Sequence, residues 1–287
     1  MILDLIKGYT NQPFTLPYKV INFPDGHKHI DLSDAVTLIK GNGNIQILTR
    51  IRNFDDMFIL LQAVDAIREL NIDVKLTLFC TYLIAGRYDR RMYPGDSFDL
   101  KIIAKLINDM QFRKVIIIEP HSSVSTSLIE RVEVQTPLDG IVADYIFNSP
   151  PESKFVIFAP DLGAVKRVEN LIKVEKLPAE VGYLHKTRNL MTGDITGMKI
   201  MDAPEVLEGK TIILFDDLCD GGRTFTEAAK IIRKDHPKIH GIVLAITHGL
   251  FSKGYAPILE NGIDFILTTD SFQNQVDNKQ VISYSCM

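Results

Sequence analysis

Residues 211–225 read Thr-Ile-Ile-Leu-Phe-Asp-Asp-Leu-Cys-Asp-Gly-Gly-Arg-Thr-Phe. The apolar start of this stretch predicts a buried strand, and the two glycines predict a turn that opens a helix. In open α/β sheets, ligands bind beyond the carboxyl ends of the strands, and the first turn of a helix offers backbone N–H groups to an anion. The stretch therefore predicts an α/β fold with an anion site, for which phosphate is the natural ligand.

The carboxylates in this stretch indicate what accompanies the phosphate. Asp216 and Asp217 follow the predicted strand directly, and adjacent carboxylates repel a phosphate, so they are better suited to accept hydrogen bonds from sugar hydroxyls. Together with the glycine turn they predict a sugar phosphate pocket. The simpler interpretation is a solvated loop in which Asp220 caps the helix, but the complete string is much more specific than a strand followed by two aspartates.

On both sides of this stretch, short apolar runs rich in β-branched residues alternate with segments of helical periodicity. This alternation is typical of parallel sheets flanked by helices. We predict strands at residues 74–80, 115–119, 155–159, 181–185, 211–215, 242–246 and 265–267, and helices at 55–70, 98–110, 164–172, 224–234 and 257–261. The 287 residues suggest two domains, and the polar, doubly prolyl segment 148–153 favours a boundary there, giving domains 1–148 and 149–287.

The composition excludes several classes of protein. The chain is 46% apolar and 24% charged, as soluble globular proteins are, and its formal charge of −4 provides no general basic field for nucleic acid or anionic membrane. Cys80, Cys219 and Cys286 are widely spaced and lack the spacing of a zinc site, which fits a reducing compartment. No apolar run approaches the ~18 residues of a membrane span. We expect a cytoplasmic protein without nucleic-acid or membrane partners.

The string at residues 215–224 resembles the phosphoribosyl pyrophosphate (PRPP) loop shared by type I phosphoribosyltransferases and ribose-phosphate pyrophosphokinases. Residues 23–26 (Phe-Pro-Asp-Gly) and 86–91 (Gly-Arg-Tyr-Asp-Arg-Arg) resemble two ATP-binding segments that only the pyrophosphokinases have. Further segments resemble that family in the same order along the chain: 119–122 (Glu-Pro-His-Ser), 160–167, 186–188 (Lys-Thr-Arg) and 247–249 (Thr-His-Gly).

The resemblance implies two tandem type I phosphoribosyltransferase-like domains, each a mostly parallel sheet flanked by helices. It also implies a magnesium-dependent enzyme that transfers the β,γ-diphosphoryl group of ATP to the C1 hydroxyl of ribose 5-phosphate, producing PRPP and AMP. A homo-oligomer is a further expectation from the family. The phosphoryl groups that move in this reaction carry negative charge, which positioned cations and magnesium stabilise.

The resemblance assigns roles residue by residue. ATP would be bound by Phe23, Asp25, Arg87, Asp89 and His121, and magnesium by His121 and Asp161. The ribose phosphate would be bound by Asp161, Asp216, Asp217, Asp220, Gly221, Gly222, Arg223 and Thr224, while Lys186 and Arg188 would be catalytic. Taken singly, each of these residues would more often be a surface charge, a cap or a packing residue.

Three features depart from the family. His27 stands where a glutamate is usual, the chain stops soon after Phe272, and the loop has Gly221 in place of a hydroxyl residue and gains Arg223. Arg223 either reinforces the 5-phosphate, reaches a second phosphate, or points to solvent. The second case predicts ADP-ribose as the acceptor, with ADP-ribose pyrophosphate as product and a role in NAD salvage. Parts of the sequence also fit a non-catalytic regulatory subunit or a base-dependent phosphoribosyltransferase.

Overall fold

The computed structural model describes residues 1–6, 13–161, 163–188, 195–274 and 278–286, without the side chains of 186–188, 195 and 196. The chain forms two compact units, Met1–Gln135 and Thr136–Met287. In the ranges described, no helix is long and apolar enough to cross a membrane.

The first unit contains a parallel sheet. Its elements are β1 (Ile2–Asp4), β2 (Lys19–Asn22), β3 (Lys28–Asp31), a 3-10 turn (Ser33–Ala35), α1 (Val36–Lys40), β4 (Asn44–Ile51), α2 (Phe54–Leu70), β5 (Lys75–Leu83), α3 (Asp99–Asp109), β6 (Lys114–Ile118), α4 (Ser123–Leu128) and β7 (Val132–Gln135). In the described residues the sheet has the order β1-β4-β5-β6-β7 with every pair parallel, and β2 and β3 form a separate antiparallel hairpin.

Helix α2 shows why the sequence folds locally as predicted. The Asn53 side chain accepts a hydrogen bond from the Asp56 N–H at 2.9 Å and so caps the first turn. The apolar residues of the helix recur at helical spacing and are buried against the sheet: Met57, Ile59, Leu60, Ala63, Val64 and Ile67.

The second unit is built around a larger sheet. Its elements are α5 (Pro137–Phe147), β8 (Phe155–Ala159), α6 (Val165–Glu175), β9 (Ala179–Arg188), β10 (Ile195–Asp202), β11 (Thr211–Cys219), α7 (Arg223–Asp235), β12 (Gly241–Gly249), α8 (Ala256–Leu259), β13 (Phe265–Thr269) and β14 (Val281–Tyr284). As far as the unit is described, the strand order is β10-β9-β8-β11-β12-β13-β14, and all pairs are parallel except β9 with β10. The predicted fold class, two α/β domains with mostly parallel sheets, is confirmed.

Both faces of the second sheet are covered. Side chains alternate along β8, so Val156 and Phe158 pack with the apolar residues of α7, whereas Phe155 and Ile157 pack with those of α5 and α6. A strand buried on both faces is apolar throughout, which is why the strands of this unit could be predicted from short uninterrupted apolar runs.

The boundary between the units lies earlier than predicted. The prediction places helix α5 in domain 1–148, but the structure divides the chain after Gln135. Helix α5 packs on the second sheet because Leu138, Ile141, Val142 and Ile146 form an apolar face in the same core as residues of β8, β11 and β12. The polar prolyl segment 148–153 is therefore a connection inside the second unit, between α5 and β8.

Candidate active site

The second sheet has a topological switch point between β8 and β11. The chain passes from β8 to its neighbour β9 on one side, and from β11 to β12 on the other. Helices then leave the carboxyl ends of these two strands in opposite directions, which opens a crevice where ligands of α/β proteins bind. Asp161 follows β8, while Asp216 and Asp217 lie in β11, so the topology brings the three carboxylates to one crevice.

Strand β11 continues further than the sequence predicts. The apolar run predicts an end at Phe215, but the strand runs to Cys219 because its outer part pairs with β12, with Leu218 opposite His248. Its pairing with β8 ends at Leu214. Asp216 and Asp217 therefore lie in the part of β11 that extends past its neighbour, where their carboxyl groups line the crevice.

The pKa of Asp216 is raised well above its usual range. Burial of the carboxyl group is the largest cause, followed by the negative charge of Asp217, a hydrogen bond between the two side chains, and the negative charge of Asp161. The Asp217 N–H donates to Asp216 Oδ1 at 2.9 Å, which partly offsets the increase. A ligand that donates hydroxyl hydrogens, or a cation, would relieve this crowding of negative charge.

Asp161 also has a local structural role. Its Oδ1 accepts hydrogen bonds from the N–H groups of Gly163 at 2.9 Å and Ala164 at 3.2 Å, in the turn that leads into α6. One oxygen is thus engaged in holding the turn, which fixes the side chain at the end of β8.

The glycine loop, residues 220–224, joins β11 to α7. Gly222 has a φ of 79°, and a Cβ there would stand 2.5 Å from Cγ1 of Ile258. Glycine is therefore required here, because other residues rarely adopt this φ and because there is no room for a side chain. Its carbonyl accepts the N–H groups of Phe225 and Thr226 at 3.0 Å each, so the first turn of α7 starts at the loop, with Arg223 and Thr224 as its first residues.

In the first unit, the structure places His121 close to the 86–91 segment. A Cβ on Gly86 would be 3.5 Å from Cβ of His121, and the two residues follow the neighbouring strands β5 and β6. Ala85 and Glu119 adopt positive φ angles of 67° and 40° at these strand ends. Such strained residues cluster at functional sites, where they direct the following side chains. Arg87 is exposed directly after this turn.

Asp89 and Arg91 lie further along the same loop. The Asp89 carboxylate is 3.6 Å from Nε of Arg90 and largely enclosed. Arg91 Nε donates to the Asp96 carbonyl at 3.1 Å, while the Asp96 carboxylate accepts the N–H of Met92 at 3.0 Å. The loop is thus held by its own hydrogen bonds.

Phe23 and Asp25 lie in the turn between β2 and β3. The ring of Phe23 is 45% exposed and stacks on His27, with centroids 5.6 Å apart. Asp25 Oδ1 accepts the His27 N–H at 2.9 Å, and His27 contacts Phe58 of α2 edge-on at 5.8 Å. His27, the departure from the family, therefore belongs to an aromatic cluster on the hairpin.

A cavity of about 340 Å³ adjoins this region. It is lined by Phe54, Tyr82, Ile84, Arg87, Tyr88 and Ile102, among others. Phe54 stands one helical turn before Phe58, so the same side of α2 carries the aromatic contact to the hairpin and a wall of the cavity. The cavity is thus lined mainly by apolar and aromatic side chains, together with Arg87.

Lys186 and Arg188 lie in the antiparallel ladder of β9 and β10, opposite Met198 and Ile195. Their side chains are outside the described residues, so their predicted catalytic role stays a prediction. His121 belongs to the first unit and Asp161 to the second. In the described ranges, no three His, Cys, Asp or Glu side chains form a ready-made metal site.

Two residues near the sites received no role from the sequence. Glu119 is 5% exposed and at positive φ beside His121. His248 is 4% exposed, and its Nδ1 is 2.8 Å from Oγ of Ser271, which itself donates to the Thr247 carbonyl at 2.9 Å. Since the hydroxyl has one hydrogen, Nδ1–H is the donor to Ser271. Both residues stand in segments that carried the resemblance, which was the only signal for them.

Comparison with known proteins decides the family. Residues 133–281, slightly more than half of the chain, match the model of the phosphoribosyl transferase domain. The chain belongs to the phosphoribosyltransferase family. The match begins close to the observed division after Gln135 and covers the switch point and the glycine loop.

The nearer relatives confirm the predicted resemblance to ribose-phosphate pyrophosphokinases. This phosphoribosyltransferase-family chain is 27% identical over 274 residues to the ribose-phosphate pyrophosphokinase of Sulfurisphaera tokodaii, covering 92% of this chain and 87% of that protein. It is 25% identical over 285 residues to that of Aquifex aeolicus, covering 97% and 87%. Its fold matches phosphoribosylpyrophosphate synthetase from Mycobacterium smegmatis with a TM-score of 0.77 at 18% identity, over 94% of this chain and 86% of the other.

Proposed function

We propose that this chain is a ribose-phosphate diphosphokinase, which forms PRPP and AMP from ATP and ribose 5-phosphate. The observation that carries the proposal is the crevice at the switch point, where Asp216 and Asp217 stand beside the glycine loop. Hydrogen-bond acceptors for a sugar and backbone donors for a phosphate are then neighbours, as one ribose 5-phosphate requires.

The acceptor binds through this crevice. Asp216 and Asp217 accept hydrogen bonds from the ribose 2- and 3-hydroxyls, and the neutral donors reduce the repulsion that raises the pKa of Asp216. The glycine loop wraps the 5-phosphate with backbone N–H groups and the Thr224 hydroxyl. Binding at both ends of the sugar orients the C1 hydroxyl for reaction.

The donor binds through the first unit. Phe23 stacks on adenine, while Asp25 contacts the nucleotide and Arg87 and Asp89 hold the phosphates. Support comes from the exposed ring of Phe23 and from the strained turn before Arg87, in which Gly86 lies next to His121.

The carboxylate among the predicted ligands suits magnesium. Carboxylate oxygens are ligands that Mg²⁺ prefers, and it usually binds through one or two carboxylates together with substrate phosphates. Asp161 supplies such an oxygen near the negative charge of Asp216, and His121 is the other predicted ligand. When bound, the ion would neutralise charge on the phosphate oxygens.

In the chemical step, the ribose C1 oxygen forms a bond to the β-phosphorus of ATP. The bond from that phosphorus to the oxygen shared with the α-phosphate breaks, AMP leaves with the electron pair, and the hydroxyl proton passes to water. Lys186 and Arg188 stabilise the migrating diphosphoryl group as fixed cations.

The test is release of AMP from Mg-ATP with ribose 5-phosphate and no nucleobase, with the products identified by mass. We expect stoichiometric AMP and PRPP, and a loss of turnover of at least about 100-fold in Lys186→Ala and Arg188→Ala, because each removes a transition-state cation. Lys199→Ala, an exposed lysine on β10 of the same hairpin, is the control and should keep turnover. Wild-type rates in the first two variants would remove the catalytic assignment.

ADP-ribose is a second candidate acceptor, favoured by Arg223. Its side chain is exposed at the first residue of α7, at the edge of the glycine loop. An arginine there suits a second phosphate attached to the 5-phosphate. Offering ADP-ribose and ribose 5-phosphate separately at equal concentration ranks the two acceptors, and silence with both would favour a regulatory subunit instead.

A further inference from the structure

The side chain of Lys253 lies across the glycine loop. A Cβ on Gly221 would stand 3.6 Å from both Cδ and Cε of Lys253, and 3.9 Å from its Cγ. Gly221 has no side chain, so the lysine methylenes rest directly over its backbone. The ammonium nitrogen is one bond further, which places it within about 5 Å of that position, since a C–N bond adds about 1.5 Å.

The turn that carries Lys253 is attached to the loop by the backbone. The N–H groups of Leu250 and Phe251 donate to the Cys219 carbonyl at 2.9 and 3.2 Å. The N–H of Ser252 donates to the Asp220 carbonyl at 3.3 Å. These bonds continue the pairing of β11 with β12 past the end of the strands, so the turn keeps its position relative to the loop.

The turn also has a defined conformation of its own. Phe251 has a φ of 45° and Gly254 a φ of 76°, and the Gly254 N–H donates to the Phe251 carbonyl at 2.8 Å. The Phe251 ring is 6% exposed and packs edge-on against Tyr255 at 4.9 Å. A non-glycine residue at positive φ costs conformational energy, which the packing of its ring offsets. Lys253 is thus presented by a rigid turn.

The charges near the loop favour a cation there. Asp220 begins the glycine loop, and Asp216 and Asp217 lie in the strand that leads into it, so the position proposed for a phosphate has carboxylates nearby, which repel it. In the part of the chain that the structure describes, the Lys253 ammonium takes part in no hydrogen bond or ion pair. Two other exposed lysines of this unit are paired: Lys230 with Glu227 and Lys238 with Glu208, each at 3.1 Å.

We propose that Lys253 is a specificity-determining residue that binds the acceptor's 5-phosphate at the glycine loop. The inference rests on the proposed function, since it takes the glycine loop as the site of that phosphate. Backbone N–H groups then bind the phosphate from the loop, and the ammonium supplies the positive charge that the neighbouring aspartates require.

Three variants test the role of the charge. Lys253→Met keeps an aliphatic chain over Gly221 and removes the ammonium, Lys253→Arg keeps a cation, and Lys238→Met removes a remote lysine charge as the control. The measurements are the dissociation constant of ribose 5-phosphate by calorimetry, and the KM values for ribose 5-phosphate and ATP in PRPP formation.

Lys253→Met should weaken ribose 5-phosphate binding and raise its KM about tenfold, the lower range for a charge-assisted hydrogen bond at an exposed site. The KM for ATP should stay unchanged, Lys253→Arg should recover most of the loss, and Lys238→Met should match the wild type. Unchanged ribose 5-phosphate binding in Lys253→Met overturns the inference, whatever the rate of PRPP formation.

Binding and turnover separate this inference from the proposed function. If the wild type binds ribose 5-phosphate through Lys253 but forms no PRPP, the diphosphokinase proposal fails and the phosphate site stands. If PRPP forms and Lys253→Met behaves as the wild type, the diphosphokinase proposal stands and the role of Lys253 is overturned. A wild type that does not bind ribose 5-phosphate overturns both.

Discussion

At Asp216, burial and two neighbouring carboxylates all oppose ionisation. The folded pKa is raised above the unfolded one, so this residue contributes stability at low pH, and that contribution is lost as the pH rises through the folded pKa. The fold therefore loses stability as the pH rises above the ordinary pKa of an aspartate. In the proposed function, this carboxyl group costs stability in the ligand-free protein and provides a hydrogen-bond acceptor for the sugar.

Asp216→Asn should consequently stabilise the ligand-free protein while it impairs acceptor binding. We expect a gain of about 1 to 2 kcal/mol in the free energy of unfolding at pH 8 and a smaller gain at pH 5, because the raised folded pKa lowers the stability of the wild type progressively as the pH rises. Denaturant unfolding at both pH values measures it. Glu260→Gln, an exposed carboxylate after α8, should change stability by less than about 0.5 kcal/mol. An Asp216→Asn variant less stable than the wild type at pH 8 would contradict the repulsion.

At the scale of elements, the junction of β11, the glycine loop and α7 contains two glycines with different requirements. Gly222 has positive φ and would place a Cβ against Ile258, whereas an added Cβ at Gly221 meets only methylenes of Lys253 at ordinary contact distance. Gly222→Ala should cost about 2 kcal/mol or more through backbone strain and overpacking. Gly221→Ala should cost less than about 1 kcal/mol. Thermal unfolding of both variants measures the two costs. Equal losses of stability would contradict the positive φ and close packing described for Gly222.

The same junction shows what the sequence could predict. The strand, the carboxylates, the glycine turn and the helix are contiguous, so local patterns and the resemblance predict them together. Lys253 reaches the loop, and His248 comes to lie opposite Leu218, only through the pairing of β11 with β12 and the turn that follows it. A single sequence does not reveal which strands are neighbours, so it predicts nothing for Lys253 and no role for His248.

Elements with mixed or polar sequences are harder to predict. The residues after Phe272 are polar and predict no element, yet β14 pairs in parallel with β13 from Ile266 opposite Val281. The sequence does not predict that helix α5 belongs to the second unit. The prolyl segment after the helix is a strong local signal for a boundary, whereas the packing that places α5 in the second unit is tertiary. Local signals therefore predict the elements better than they predict the domain boundary.

At the scale of the whole molecule, helix α5 decides where the second unit begins. Its buried side chains Leu138, Ile141, Val142 and Ile146 cover one face of the sheet. Deleting the helix removes this cover, and each large apolar side chain lost costs about 2 kcal/mol of stability. The sum is comparable with the total stability of a typical domain.

A fragment of residues 136–287 should therefore fold cooperatively, and a fragment of residues 149–287 should not. The first keeps the complete core that α5, α6 and the sheet form, whereas the second exposes Phe155, Val243 and Leu267 on the uncovered face. Circular dichroism melts and gel filtration of both fragments measure the difference: a sharp transition and a monodisperse species for 136–287, aggregation or a broad transition for 149–287. Because the polar segment 148–153 carries few apolar contacts, two equally stable fragments would show that the boundary predicted from that segment is the physical one and that α5 is dispensable to the core.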